Sequence, residues 1–147
     1  MGWVLAFVLS WILFLICIDW KRLWPNVIGG IWASIIQIMV DKIFIGLNLY
    51  AIKESILCIS GAGSIFFTLG PVFTMGTLMV QHLPKNRWAR LLNIFIWVGF
   101  FMLFERVMWV FGYLEYRHWN SLYSFWIDIM ALIDISWFGE NFVKRMR

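Results

Sequence analysis

An all-α bundle of about five transmembrane helices is the fold this sequence predicts, and three observations predict it. Hydrophobic residues make up 63% of the 147 residues and charged residues only 14%, whereas a soluble domain carries roughly 25% charged residues to wet its surface. The mean hydropathy is +0.82. The apolar residues fall in long blocks separated by short polar breaks, which is the pattern of spans across a ~30 Å hydrocarbon layer rather than of a soluble core. The length suits one domain. The residue pattern offers no internal repeat, no low-complexity stretch and no linker to a second domain.

The first block, residues 2–18, is close to the minimum length for a span. Its positive charges, Lys21 and Arg22, follow the apolar run instead of preceding it, and no small-residue cleavage site stands between them. That order argues for a retained helix rather than a signal peptide. The second block, 24–40, opens with Pro25, which a first helical turn tolerates, and closes at Asp41-Lys42. Residues 43–52 are apolar again. Either they lie in the interface after a span that stops at Val40, or one long tilted helix carries Asp41 into the membrane. The first arrangement is the expectation.

The third block, 56–80, is rich in small residues, among them Ser60, Gly61, Ala62, Gly63, Ser64, Thr68, Gly70 and Gly76, and is interrupted by Pro71. Ser60, Ser64, Thr68 and Gly76 recur on one helical stripe, the pattern of close helix packing. The Gly70-Pro71 step alternatively suggests an unwound segment lining a cavity. Gly61-x-Gly63 lacks the third glycine and the preceding strand of a nucleotide loop. The fourth block, 88–111, carries Glu105 and Arg106, and the fifth, 121–138, carries Asp128 and Asp134. Of the 11 tryptophans, Trp3, Trp20, Trp24, Trp88 and Trp119 fit interfacial belts. Trp11, Trp32, Trp97, Trp109 and Trp126 fall deeper, where packing between helices is expected.

Charge sets the expected orientation, because basic residues near span ends stay on the cytoplasmic side. Five helices put Lys21, Arg22, Lys85, Arg87, Arg90, Lys144, Arg145 and Arg147 on one side. Lys42, Lys53 and Arg117 fall on the other, beside Asp41, Glu54 and Glu115. The N-terminus is therefore expected outside and the C-terminus inside. Lys21, Arg22, Lys85, Arg87 and Arg90 suit anionic headgroups. Although the net charge is +4, its scatter between apolar blocks is not a nucleic-acid face.

An ionised group at mid-membrane costs ~2.5–3.5 kcal/mol on insertion scales. Glu105 and Arg106 point about 100° apart on one helix, so each needs a partner elsewhere. Helices four and five run antiparallel through a short loop, which places Asp128 at the depth of Arg106. An Arg106–Asp128 ion pair, or a Glu105–Arg106–Asp128 cluster, is the expectation. It would be structural, or else part of an ion relay or polar substrate site; the remaining option is that the charges snorkel outward. Asp134 has no basic residue at its depth, and is either a protonatable relay member or a carboxyl hydrogen-bonded to a serine or a backbone carbonyl. In the loop Glu115-Tyr116-Arg117-His118, one histidine and one acid are too few for a metal site. No nucleophile–base constellation is present. Cys17 and Cys58 form no CxxC pair and read as free thiols. Neither a cofactor nor a metal is expected.

The second half resembles a known group. Leu83-Pro84-Lys85 before a helix, the intramembrane Glu105, and the run Gly112, Tyr116, Trp119, Ser124 are similar to a family of small multi-pass membrane proteins of spore-forming Firmicutes whose activity is uncharacterised. The resemblance covers residues 81–128. It implies a bacterial plasma membrane and no particular reaction, and it singles out Glu105, Tyr116 and Trp119 as one unit at the outer face. The functional expectation is a non-enzymatic membrane component whose partners are the bilayer and a second copy or another membrane protein. The alternative is a small proton- or ion-coupled transporter using Glu105, Arg106 and Asp128. A lipid-modifying enzyme fits least, for want of convergent polar groups.

Overall fold

A computed structural model describes residues 1–58 and 63–146. Ser60, Gly61 and Ala62 of the small-residue run, and Arg147 of the basic tail, lie outside the described residues.

Five helices form the bundle: α1 Gly2–Cys17, α2 Leu23–Gly46, α3 Ile65–Gln81, α4 Arg87–Val110 and α5 Ser121–Met146. The segments Trp20–Gly46, Arg87–Val110 and Ser121–Met146 are long and apolar enough to cross a membrane; α1 and α3 are apolar but shorter. Large apolar side chains are exposed along the helices, including Leu5, Ile16, Met39, Leu92, Leu103 and Met130. Continuous apolar exposure on this scale marks a surface meant for something other than water.

Several boundaries depart from the sequence expectation. The helix α2 does not stop at Val40 but runs through Asp41 to Gly46. Asp41 is only 1% exposed, so the arrangement that carries it inside a long helix is the one found. Residues 43–52 then divide between the last turn of α2 and a strand, β1 (Tyr50–Ile52), which pairs antiparallel with β2 (Leu114–Tyr116). The third helix begins at Ile65, well after residue 56. The fifth runs beyond Phe138 through a π-helical turn at Gly139–Val143, where Val143 is fully buried.

Pro71 does not unwind α3. A π-helical turn at Thr68–Val72 absorbs it, since the wider turn accommodates a residue with no N–H and a bulky ring. Two carbonyls of this turn also accept side-chain hydrogen bonds: Thr74 Oγ1 donates to Gly70 at 2.9 Å, and the Trp11 indole donates to Leu69 at 3.1 Å. Gly70 sits against the backbone of Phe7, where a Cβ would come within 2.9 Å of Phe7 Cα.

Small residues let α2 and α3 meet closely. A Cβ on Gly29 would lie 2.6 Å from Val80 Cγ2, and one on Gly76 would lie 2.5 Å from the Ala33 Cβ. Such backbone proximity is the ordinary use of small residues between helices. Around this seam Ala33, Val72, Met79, Val80, Ile94, Val98, Leu132 and Ile135 form the core.

The order helix, helix, turn, strand occurs twice. Cys17 and Gln81, Leu23 and Arg87, and Gly46 and Val110 are equivalent ends, separated by one constant interval. Both long helices close with the same hydrogen bonds. Leu49 donates to Phe44 and Asn48 to Ile45; Tyr113 donates to Met108 and Gly112 to Trp109. Asn48 (φ 58°) and Gly112 (φ 78°) hold the left-handed position of this cap. The ladder is centred on Ala51 and Glu115, equivalent positions of the two units, so the strands meet about a local two-fold axis. The expectation of no internal repeat is thus corrected. The units share few identical residues, and a capping geometry tolerates many sequences. What does correspond is Asp41-Lys42 with Glu105-Arg106, and Trp24 with Trp88.

Candidate functional site: an acid-lined cavity beside the strands

Each of the two units delivers an acid inward and a base outward. Asp41 and Glu105 line one partly enclosed cavity of about 100 Å³, whereas Lys42 and Arg106 are exposed. Neighbouring helical residues differ by ~100° in direction, so an inward acid sends the next residue away. Asp128 of α5 lines the same cavity. The two strands cover it, and Trp3, Phe44, Phe67, Phe104 and Trp119 contribute aromatic wall.

The acids are held differently. Asp41 Oδ1 accepts from the Tyr50 hydroxyl and from Gln37 Nε2, the latter at 2.8 Å. Its Oδ2 sits over the backbone of Gly63 without a well-formed hydrogen bond. Glu105 Oε1 accepts from the Tyr116 hydroxyl and from Ser124 Oγ at 2.6 Å. Ser124 in turn receives the Trp119 indole at 2.7 Å. Both hydrogen bonds to Glu105 fall on Oε1, which leaves Oε2 to the cavity. Asp128 has no hydrogen-bond or ion-pair partner among the described residues. Burial, followed by the charges of Asp41, Glu105 and Asp128, pushes the Tyr50 phenol upward. The phenol is therefore a fixed donor within electrostatic reach of all three carboxyls.

The ion pair expected between Arg106 and Asp128 is not formed. The Arg106 guanidinium lies over the Trp109 ring at 4.6 Å, the outward course that a long cationic side chain takes near a helix end. Asp134 is not part of the cavity lining. It accepts from the Trp32 indole at 2.7 Å, and Trp32 stacks on Phe138. Its partner is thus an indole rather than a serine or a carbonyl.

Of the loop residues Glu115, Tyr116, His118 and Trp119, Tyr116 bonds to Glu105 directly and Trp119 connects to it through Ser124, whereas Glu115 and His118 do not. Side chains alternate along a strand, so Tyr116 turns inward while Glu115 pairs outward with Lys53 and, at 3.7 Å, with Arg117. Those two cations hold the Glu115 carboxyl below its ordinary value, with the Lys53 hydrogen bond the largest cause. His118 is exposed. Trp3 is buried and donates to the Lys53 carbonyl at 2.8 Å, whereas Trp109 and Trp126 are exposed.

At the opposite end, Lys21, Arg22, Lys85 and Arg87 are exposed, as a headgroup role requires. Arg90 is not free for one, because its guanidinium forms a two-pronged pair with Glu140 of α5, one arm at 2.6 Å. Gln81 ties the two helical hairpins together there. It accepts from the Asp19 N–H and Asn26 Nδ2, and donates to the Cys17 carbonyl.

Comparison finds no matching family model, no matching curated protein and no matching solved structure. Function therefore rests on the site. Sequence reasoning missed Asp41, Tyr50 and Gln37 as site members. The available signal was the acid-base pair at equivalent places in two apolar helices.

Proposed function

We propose that this is a multi-pass protein of the bacterial plasma membrane, N-terminus outside, which binds a cation in a cavity beneath its outer face. One observation carries the reading: three carboxyls line an aromatic-walled cavity that no lysine, arginine or histidine among the described residues enters. Buried charges ordinarily come with a counter-charge, and a cationic ligand is the counter-charge this wall lacks. The location follows from the apolar helices, the charge bias and the family resemblance. Binding is non-enzymatic, which fits the lack of a nucleophile–base arrangement in the sequence.

A second reading, a carrier that moves the cation, is favoured by the two equivalent helix–turn–strand units. With the proposed orientation both units run in the same direction, as parallel repeats do in some transporters, where the substrate sits between repeats.

The test is a flux and binding measurement on the full chain in proteoliposomes. A cation-dependent change in tryptophan emission that Asp128→Asn and Glu105→Gln abolish supports binding. Movement of the cation down an imposed gradient adds the carrier role. No cation dependence at any pH between 5 and 9 (roughly the window in which perturbed carboxyls titrate) overturns both readings.

A further inference from the structure

The cation-binding reading leaves the kind of cation open, and the cavity's shape and walls narrow it. We propose that the ligand is a small alkylammonium ion, about the size of trimethylammonium, rather than a metal ion; this rests on the cation-binding reading above.

A metal ion needs converging donors. Hard cations take about six or more oxygens at ~2.0–2.6 Å from one point. Among the described residues, no three Asp, Glu, His or Cys side chains are grouped closely enough to hold a metal. The acids of this cavity are instead distributed over its wall, with Asp41 on α2, Glu105 on α4 and Asp128 on α5. Distributed charge suits a cation whose own charge is spread over several carbon-bearing groups.

The remainder of the wall points the same way. Trp3, Phe44, Tyr50, Phe67, Phe104 and Trp119 surround the space. Aromatic faces attract alkylammonium ions through the ring quadrupole, and the weak hydration of such ions makes entry easier than for a small bare cation. Size agrees. An apolar cavity of about 150 Å³ takes benzene, so about 100 Å³ here leaves room for about four heavy atoms.

Donor and acceptor roles also fit. Two acceptors remain uncommitted, Glu105 Oε2 and the whole of Asp128, whereas Asp41 Oδ2 rests on the backbone of Gly63. Asp41 is 99% buried and does not reach bulk solvent. An ammonium N–H directed at Glu105 or Asp128, with methyl groups against Trp119 and Phe104, would use the acceptors and the rings together.

The experiment is tryptophan fluorescence of the full-length protein in detergent, since Trp3 and Trp119 report from the wall. Trimethylammonium chloride, sodium chloride at equal ionic strength and tert-butyl alcohol are titrated in parallel. The expected result is a saturable response to trimethylammonium alone, weakened about tenfold or more by Asp128→Asn and partly restored by Asp128→Glu. Ala131→Lys is the second variant. It places a tethered ammonium at the cavity wall and should remove the response even if Asp128→Asn does not fold. An equal response to sodium and trimethylammonium overturns the alkylammonium inference and leaves the cation-binding reading standing. A response to the alcohol as strong as that to the ammonium, or no response to any cation, overturns both.

Discussion

Tyr50 and Tyr116 stand directly opposite each other in the two-stranded ladder, and each donates a hydrogen bond to a carboxyl on the helix that precedes its own strand. Tyr50 reaches Asp41 and Tyr116 reaches Glu105. Residues paired across strands share a face of the sheet, so one small ladder sets the position of both acids. The sheet is short, but it joins the two units against the wall of the cavity.

Removing either phenol should loosen this end of the bundle. Tyr50→Phe leaves Asp41 with Gln37 alone, and Tyr116→Phe leaves Glu105 with Ser124 alone. Each loss should cost about 1–3 kcal/mol, the range for a hydrogen bond to a charged group or for an acceptor left unsatisfied. Equilibrium unfolding in mixed micelles measures it. A change below about 0.5 kcal/mol for both variants would show that the phenols do not hold the acids.

The Tyr116 phenol should titrate late. Burial first, then the hydrogen bond to Glu105, pushes it up to about 12 from 10.0. A folded-state value above the unfolded one means that its stabilising contribution is intact below about pH 10 and fades as pH rises towards 12. Glu105→Gln should move the phenol's absorbance transition downward. An unmoved transition would sink the assignment of Glu105 as its partner.

Glycines in the α2–α3 seam should be intolerant where others are not. Gly29→Leu forces a side chain into Val80 and should destabilise by about 1–3 kcal/mol, the usual range for overpacking. Gly99, within α4, has nothing within 4 Å of where its Cβ would be. Gly99→Ala should therefore be neutral or stabilising by up to ~1 kcal/mol through helix propensity. Thermal unfolding of the two variants side by side tests the seam, and equal effects would refute it.

Arg106 should prove dispensable for folding. Exposed over Trp109, it has a ring beneath it and no acid, so Arg106→Leu should change stability by less than ~1 kcal/mol. The charge swap Arg106→Asp with Asp128→Arg should not restore expression lost in the single variants. Restoration would mean that the two residues pair after all.

Arg106 also shows where sequence reasoning reached its limit. Depth along two antiparallel helices was readable, and it placed Arg106 level with Asp128. Rotation about the helix axis was not. The angular step between neighbours sends Glu105 towards Asp128 and Arg106 towards Trp109, and only packing decides which of the two faces inward. The same gap hid Asp41. A carboxyl in an apolar run reads as a helix end until a tyrosine from a later strand and a glutamine one turn earlier satisfy it. In the loop, Tyr116 and Ser124 bond to Glu105 and Trp119 reaches it through Ser124, while Gly112 serves the cap of α4.

By itself, the sequence determined that this chain is a helical bundle suited to lipid, because composition and block length act through hydrophobic burial, which needs no partner to be specified. Three of the five apolar blocks form helices long enough to cross a membrane, and all five contribute a helix. The tertiary structure alone decided that three acids share one cavity, that the bases next to Asp41 and Glu105 leave it, and that two units join through a ladder of three residues a side. Hydrogen bonds and ion pairs depend on direction within about an ångström, and direction is fixed only once the close seam of Gly29, Ala33 and Gly76 sets how each helix is turned.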